Sequence, residues 1–333
     1  KKKMKIIIGL AVLLFVFNLV CCIDYVKEGD TVYIVTPSSA LNDDQKATVK
    51  NTMNFLESQW GLKTKLGKFA FNSHSGFGGT DEERYQDLHE AIVDPEVKVI
   101  LSTRGGYGAC HIIDYATALY AEYNGSYPTK FLVGYSDITH HLSAIERIET
   151  SMKGVHATMA AASAFYTNEF AAKSLKNILF GNEIGTYSVT DKPQIRKGNA
   201  TAPIVGGNLS ILSHTLGTVN EINTDGTILF IEDIGEQMRK IDSMIRLLIR
   251  AGKMDNIKGL VLGAFTNCPG DQYFSDDIVA LVTNILKAEK IENIPVANNF
   301  DIGHQYANNP VPIGSMVTLT VGDNAASLTF GRA

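Results

Sequence analysis

The sequence predicts an α/β protein, with an N-terminal part built on a parallel sheet flanked by helices and a C-terminal part that is mixed and more β-rich. Three observations carry this reading. Short β-branched runs alternate with helical stretches in the first half; Gly-rich and Ser-bearing loops directly follow two of those runs; and the second half adds further β-rich runs around one strongly amphipathic helix. A length of 333 residues suits about two such units, at roughly 150 residues per domain. The composition is globular, 45% hydrophobic and 20% charged with 29 Gly and 9 Pro, which excludes a disordered, collagenous or multi-span membrane chain. Four cysteines exclude a disulfide scaffold. The formal charge is −5 and more negative still without the leader lysines, so there is no net field for phosphate backbones and no nucleic-acid partner is expected.

The elements begin with a leader. Lys1, Lys2, Lys3 and Lys5 precede an apolar run from Ile6 to Val20, the layout of a secretory signal. The run is about fifteen residues, short of the roughly 20 that cross a bilayer core, so residues 1–23 read as a cleaved signal peptide or lipoprotein leader rather than a retained anchor. Leu19-Val20-Cys21-Cys22 loosely resembles a lipoprotein signal with Cys22 as the acylated residue. The expected location is the periplasm, or the membrane surface if a lipidated Cys22 or an uncleaved leader tethers the chain, and the cytoplasm if the leader does not function. Cys110 and Cys268 are expected as buried free thiols rather than a disulfide.

Thr31-Val-Tyr-Ile-Val-Thr36 is a strand closed by Pro37-Ser38-Ser39, and a helix follows from about Asn42 to Trp60. Thr80-Asp-Glu-Glu83 announces a second helix, because the Thr hydroxyl can cap the N3 amide while Glu83 reaches back. The strand Val97-Lys-Val-Ile-Leu101 runs into Thr103-Arg-Gly-Gly-Tyr-Gly108, and Phe131-Leu-Val-Gly134 runs into Tyr135-Ser-Asp137 before another helix. Parallel sheets hold ligands at the carboxyl ends of their strands, where both loops fall. Residues 24–166 form the expected N-terminal domain. Residues 167–202, with a helix, a polar stretch and Pro193, read as the connection. The C-terminal domain, 203–333, contains Gly206-Gly-Asn-Leu-Ser-Ile-Leu212, the strand Thr227-Ile-Leu-Phe-Ile-Glu-Asp233, and a helix with Met238, Ile241, Ile245, Leu248 and Ile249 on one face. Gly259-Leu-Val-Leu-Gly263, Val317-Thr-Leu-Thr-Val321 and Ser327-Leu-Thr-Phe330 complete its strands.

Ser136 is the candidate nucleophile. A strand, a tight turn and a helix can lift its hydroxyl out of the sheet and aim helix N-terminal amides at an oxyanion. Only half of the hydrolase elbow motif is present, since Ile138 stands where that motif has a second Gly, and a helix cap is the alternative role. A serine hydroxyl needs a base. His304 stands out among eight histidines because Asp301-Ile-Gly-His-Gln-Tyr-Ala-Asn-Asn-Pro310 is a loop in which a core-packing histidine is not expected. His74, His89 and His111 look like ordinary surface or helix positions, and the adjacent His140 and His141 point about 100° apart on a helix. With no HExxH or CxxC spacing, no metal is expected. Glu232 and Asp233 both end one strand on opposite faces, and spacing does not choose which orients the imidazole and which caps a helix. Arg104-Gly-Gly-Tyr-Gly108 lacks the Walker Lys and the GxGxxG spacing, so no nucleotide cofactor is expected; its glycines suit an oxyanion hole or a carboxylate cradle.

Taken together these motifs resemble the LD-carboxypeptidase family of serine peptidases, the muramoyltetrapeptide carboxypeptidases, over almost the whole chain beyond the leader. The resemblance lies in Gly29-Asp-Thr-Val-Tyr-Ile-Val-Thr-Pro-Ser-Ser39, Gly79-Thr-Asp-Glu-Glu-Arg84, Asp94-Pro-Glu-Val-Lys98, Arg104-Gly-Gly-Tyr-Gly108 and Gly134-Tyr-Ser-Asp137. Gly206-Gly-Asn-Leu209, Leu229-Phe-Ile-Glu-Asp-Ile234, and Gly303-His304 with Asn308 and Pro312-Ile-Gly314 extend it. It implies a Rossmann-like N-terminal domain, a β-rich C-terminal domain with the active site between them, and a homodimer. It also implies a Ser136–Glu232–His304 triad, with Glu232 rather than Asp233 as the acid, and oxyanion donors at the backbone of Asp137, Gly105 and Gly106. The implied reaction releases D-Ala from murein tetrapeptides, with Arg104 either on the terminal carboxylate or in a structural salt bridge. Cys110-His111 stands where members often carry Arg, and Val155-His-Ala-Thr-Met159 replaces the usual His-Gly-Pro-Met, departures that bear on substrate choice. Export is a further departure, since many members act in the cytoplasm. The alternatives are a peptidase like the microcin C immunity branch, acting on aminoacyl- or peptidyl-adenylate analogues, and a muropeptide-binding protein without activity.

Overall fold

Two sheets sharing one apolar core carry the fold in the computed structural model, which describes residues 23–124, 127–148 and 150–331. The leader with Cys21 and Cys22 lies outside them. The first sheet is assembled from β1 (Thr31–Val35), β2 (Lys63–Leu66), β3 (Val97–Ser102), β4 (Lys130–Gly134) and β5 (Met152–His156) in the order β2-β1-β3-β4-β5, all parallel. The inner strands β1, β3 and β4 are buried along their whole length, as continuous apolar runs inside a doubly covered sheet should be. The edge strand β2, Lys-Thr-Lys-Leu, alternates between exposed and half-buried and carries no apolar run, which is why its sequence does not announce it. Helices α1 (Asp43–Trp60), α2 (Asp81–Val93), α3 (Ala109–Glu122) and α4 (Thr139–Arg147) make the crossovers. The expected capping box of α2 is present, Thr80 Oγ1 accepting from Glu83 N at 3.2 Å and Glu83 Oε2 accepting from Thr80 N at 2.9 Å. A second box, Asn42 with Gln45, opens α1.

The chain continues through α5 (Ala164–Thr167), α6 (Glu169–Leu179), β6 (Thr186–Val189), β7 (Gly198–Asn208), α7 (Leu209–His214), β8 (Ile228–Ile234), α8 (Met238–Arg250) and β9 (Gly259–Thr266). It ends with α9 (Ile278–Ala288), β10 (Val296–Ala297), β11 (Val311–Pro312), β12 (Met316–Val321) and β13 (Ala326–Phe330). The second sheet has the order β10-β9-β8-β7-β12-β13-β6. It is mixed because β7 serves two partners: residues 204–208 pair parallel with β8, and residues 198–203 pair antiparallel with β12. Residues 167–202 thus hold α6, β6 and the first part of β7. On α8, Met238, Ile241, Ile245 and Leu248 are buried as the pattern predicts, and Ile249 is half-buried.

The sheets meet through one cluster running from Val32 and Phe131 through Phe165 and Ile178 to Phe230, Phe300 and Leu319. The chain also crosses between them, because β11 pairs antiparallel with β5 of the first sheet after β10 has paired with β9 of the second. Residues 298–310 span that crossing. Cys110 and Cys268 are both free; Cys268 is buried, but Cys110 is half-exposed, contrary to the sequence expectation, because it sits in the first turn of α3.

Candidate active site

The ends of β3 and β4 build one wall of a cleft of about 370 Å³ lined by Ser136, His304, Tyr135, Arg104, Gly105 and Gly106. Ser136 leaves β4 at φ 63°, a left-handed conformation uncommon for a residue with a side chain, at the start of a single 3₁₀ turn that leads into α4. The close approaches around it require glycine. A Cβ on Gly105 would lie 2.8 Å from Ser136 Cβ, 2.9 Å from its Oγ and 3.1 Å from Asp137 N, so the Gly-rich loop presses its backbone against the Ser136 turn. The missing second Gly of the elbow is explained on the same grounds. Ile138 is fully buried and folds back over Gly134, where a Cβ would come within 2.9 Å of it.

Asp137 caps a helix, but not the one it precedes. Its Oδ2 accepts from the N–H of Ala109 at 2.9 Å, closing the otherwise uncapped N-terminus of α3 and tying the Gly-rich loop to the Ser136 turn. Arg84, also fully buried, holds that loop from the other side by donating to the carbonyls of Gly108 and Pro37, each at 2.7 Å, while pairing with Asp81. Both links join residues distant in sequence, so no local signal reveals them. Arg104 donates to Ala40 O at 3.2 Å and Gln45 Oε1 at 3.3 Å, and no carboxylate among the described residues pairs with it. The salt-bridge alternative for Arg104 is thereby removed, and the residue lines the cleft.

The second sheet supplies the opposite wall. Glu232 and Asp233, adjacent on β8, point to opposite faces as alternation requires. Glu232 is fully buried and its Oε2 lies 2.6 Å from His304 Nδ1. Burial pushes its carboxyl pKa up, and the bond to His304 opposes that. Asp233 takes the capping role. Its carboxylate accepts from Asn208 Nδ2 at 3.0 Å, Ile234 N at 2.8 Å, Ser210 N at 3.0 Å and Ser210 Oγ at 2.8 Å, fixing the start of α7. Gly303 lets the histidine loop come this close: at φ 110°, a Cβ there would lie 2.5 Å from Glu232 Oε2. Asn308 Oδ1 accepts from Gly303 N at 2.7 Å, and Thr266 Oγ1 donates to His304 O at 2.6 Å. The His304 ring packs on Tyr135, centroids 4.8 Å apart. Gly206-Gly207-Asn208 joins the two walls, with the Asn208 N–H donating to Thr139 Oγ1 at 3.2 Å.

The sequence-selected side chains therefore meet in one place, Ser136 and His304 in one cleft with Glu232 behind His304. Tyr135 lines the cleft and His156 backs it; neither is among the sequence-selected site residues, although Tyr135 stands directly before Ser136 and His156 falls in the Val155–Met159 segment that departs from the family pattern. His140 and His141 are buried in α4, where His141 Nδ1 meets Tyr120 Oη at 2.9 Å, and His111 packs against Phe77 and Tyr107 rather than standing free.

A strand-end serine facing a histidine–carboxylate pair across a two-domain cleft is the equipment of a hydrolase. The family is equally plain: the LD-carboxypeptidase N-terminal domain matches residues 32–157 and the LD-carboxypeptidase C-terminal domain matches residues 201–319, so the chain belongs to the LD-carboxypeptidase family. It is 34% identical over 310 residues to a probable murein peptide carboxypeptidase of Bacillus subtilis, covering 92% of this chain and 93% of the relative. It is 26% identical to a murein tetrapeptide carboxypeptidase of Pseudomonas aeruginosa, covering 86% and 92%. Among solved structures, the fold is similar to a muramoyltetrapeptide carboxypeptidase from Oxalobacter formigenes at TM-score 0.77 and 23% identity, covering 90% of this chain and 98% of that one. It is equally similar to the microcin C7 self-immunity protein MccF, at TM-score 0.78 and 20% identity, covering 93% and 98%.

Proposed function

We propose that the chain is a serine LD-carboxypeptidase that hydrolyses the L,D-peptide bond of murein tetrapeptides and releases terminal D-Ala. The observation that carries this reading is the 2.6 Å contact of His304 Nδ1 with buried Glu232, on the far side of the ring from a cleft that also contains Ser136. Glu232 holds the Nδ1–H tautomer and stabilises the imidazolium, which leaves Nε2 to take the Ser136 proton as Oγ attacks the carbonyl carbon. The oxyanion is held by backbone N–H groups of Asp137 and of the Gly105-Gly106 stretch, aimed by the turn and the Gly-rich loop. The C–N bond breaks as the imidazolium gives its proton to the departing D-Ala amine, and water, deprotonated by His304, then frees the acyl-enzyme. Arg104, unpaired by any described carboxylate, binds the free carboxylate of D-Ala.

Fold likeness does not separate murein peptides from adenylate conjugates, since both kinds of neighbour match equally well. The 34% identity to the Bacillus subtilis relative favours the first. We also read the protein as exported, and as a homodimer like others of its family. Ile23 lines a separate groove with Met152, Lys153 and Thr227, at the amino ends of β5 and β8, whereas Ser136 and Ile234 stand at carboxyl ends. A tether upstream of Ile23 would hold the cleft facing away from the membrane.

The test is D-Ala release, by mass spectrometry, from L-Ala-D-Glu-meso-diaminopimelate-D-Ala incubated with soluble protein from Asp24 onward, with Ser136→Ala as control. Release by the wild type and its loss in the mutant are expected. A folded wild-type sample that releases nothing overturns the substrate, and an aminoacyl-adenylate analogue cleaved instead would move the protein to the immunity branch.

A further inference from the structure

His156 is buried completely at the end of β5, and neither ring nitrogen has a hydrogen-bond partner among the described residues. Buried polar groups are rarely left so, and a phenyl ring would fill the same space without the cost. The ring stands third in a stack that leads inward from the cleft: His304 on Tyr135 at 4.8 Å, Tyr135 on His156 at 5.6 Å, and His156 on Phe230 at 5.2 Å. Phe230 lies two residues before Glu232 on β8, and His156 pairs with Val311 of β11, where the histidine loop ends. The remaining neighbour is Asn308. Its Oδ1 is committed to the N–H of Gly303, its Nδ2 is buried without a partner, and its carboxamide interacts electrostatically with the His156 ring.

We propose that His156 is a positioning residue: a neutral ring nitrogen accepts a hydrogen bond from Asn308 Nδ2 and so fixes the turn from Gly303 to Asn308 that carries His304. Asn308 is then used at both ends, its oxygen on Gly303 and its nitrogen on His156, and the turn is braced against the first sheet. Burial, with a smaller contribution from His304 and opposed by the Asn308 side chain, lowers the His156 pKa to about 3, which keeps the ring neutral while His304 becomes a cation during the reaction. The proposal rests on the reading that His304 activates Ser136.

Five variants test it, the single variant Asn308→Ala among them, each read by D-Ala release and by the rate at which a fluorophosphonate labels Ser136. In His156→Phe, kcat and the labelling rate should fall about tenfold, with KM changed less than about threefold and no loss of thermal stability. His156→Gln, which restores an acceptor, should return to within about threefold of wild type, and His156→Phe combined with Asn308→Ala should be no slower than the slower single variant. Labelling of His156→Phe at the wild-type rate, or losses that multiply in the double variant, would overturn the assignment. If His156→Phe does not fold, Asn308→Asp reads the same bond from the other side: it keeps the acceptor for Gly303 but loses the donor, so wild-type labelling there overturns the proposal as well. A wild type that is labelled but releases no D-Ala fails the murein reading alone and leaves the labelling series decisive; one that does neither sinks both.

Discussion

Ser136 reaches the cleft through one tight turn at the end of β4, whereas His304 reaches it on a loop that leaves the second sheet and rejoins the first at β11. The serine side is held by local geometry and by two buried links, Asp137 to Ala109 and Arg84 to Gly108, that lock neighbouring strand-end loops together. The histidine side depends on contacts between elements far apart in sequence: Glu232, Asn308 and Thr266 around one loop. A parallel sheet thus places Ser136 by local geometry, while His304 must be brought to the same cleft by tertiary packing. Substitutions on the two sides should therefore fail in different ways.

The sharpest contrast, and the largest expected effect, is between two neighbours on β8. Glu232→Gln places an amide against His304 Nδ1 and allows the wrong tautomer, so kcat for D-Ala release should fall by about 10⁴-fold while the fold survives. Asp233→Asn should do the reverse. It leaves one acceptor oxygen for four donors, three of them at the start of α7, which should cost roughly 1–3 kcal/mol of stability with kcat changed less than about tenfold. Chemical denaturation beside steady-state kinetics separates the two, and equal kinetic losses would break the assignment of roles.

That pair also marks how far the sequence could be read. Strand alternation puts Glu232 and Asp233 on opposite faces, but which face meets His304 depends on β8 lying between β7 and β9, a pairing no local pattern specifies. Continuous apolar runs announced β1, β3 and β4, and the Gly-rich and Ser-bearing loops were legible because parallel sheets expose strand ends. The short strand β11 and the polar edge β2 were not legible, since each exists only through its partner. Asp137 stands in sequence at the start of one helix, but its carboxylate serves α3, because the loop that approaches it comes from a different crossover.

Two glycines sharpen the comparison at intermediate size. Gly105 does not occupy the positive-φ region, so an added methyl there first meets the Ser136 turn, at 2.8 Å from Ser136 Cβ. Gly105→Ala should lower kcat about 10²-fold by displacing Ser136 or its oxyanion donors, with stability nearly unchanged. Gly303→Ala meets Glu232 at 2.5 Å and is also strained at φ 110°, so it should lose activity and, in addition, about 1–2 kcal/mol of stability. Thermal melts of the two variants decide the matter. A destabilised Gly105→Ala beside an undisturbed Gly303→Ala would reverse the picture of a locally built serine side and a packing-built histidine side.

The smallest effect should come from the scaffold behind the serine side. Thr80 caps α2 one turn before Arg84, and Arg84 is the residue that grips Gly108 and Pro37. If the Gly-rich loop depended on the first turn of α2 alone, loosening that turn would be felt in catalysis. Arg84, however, is anchored beyond the cap, buried over the Phe77 ring at 5.0 Å and bonded to two separate loops, while Asp137 holds the same loop independently from α3. Thr80→Ala should therefore cost about 1 kcal/mol of stability, the ordinary value of a lost N-cap, and change kcat by less than about threefold. A larger kinetic loss at that small stability cost would mean that the Ser136 side, like the His304 side, is positioned by distant contacts.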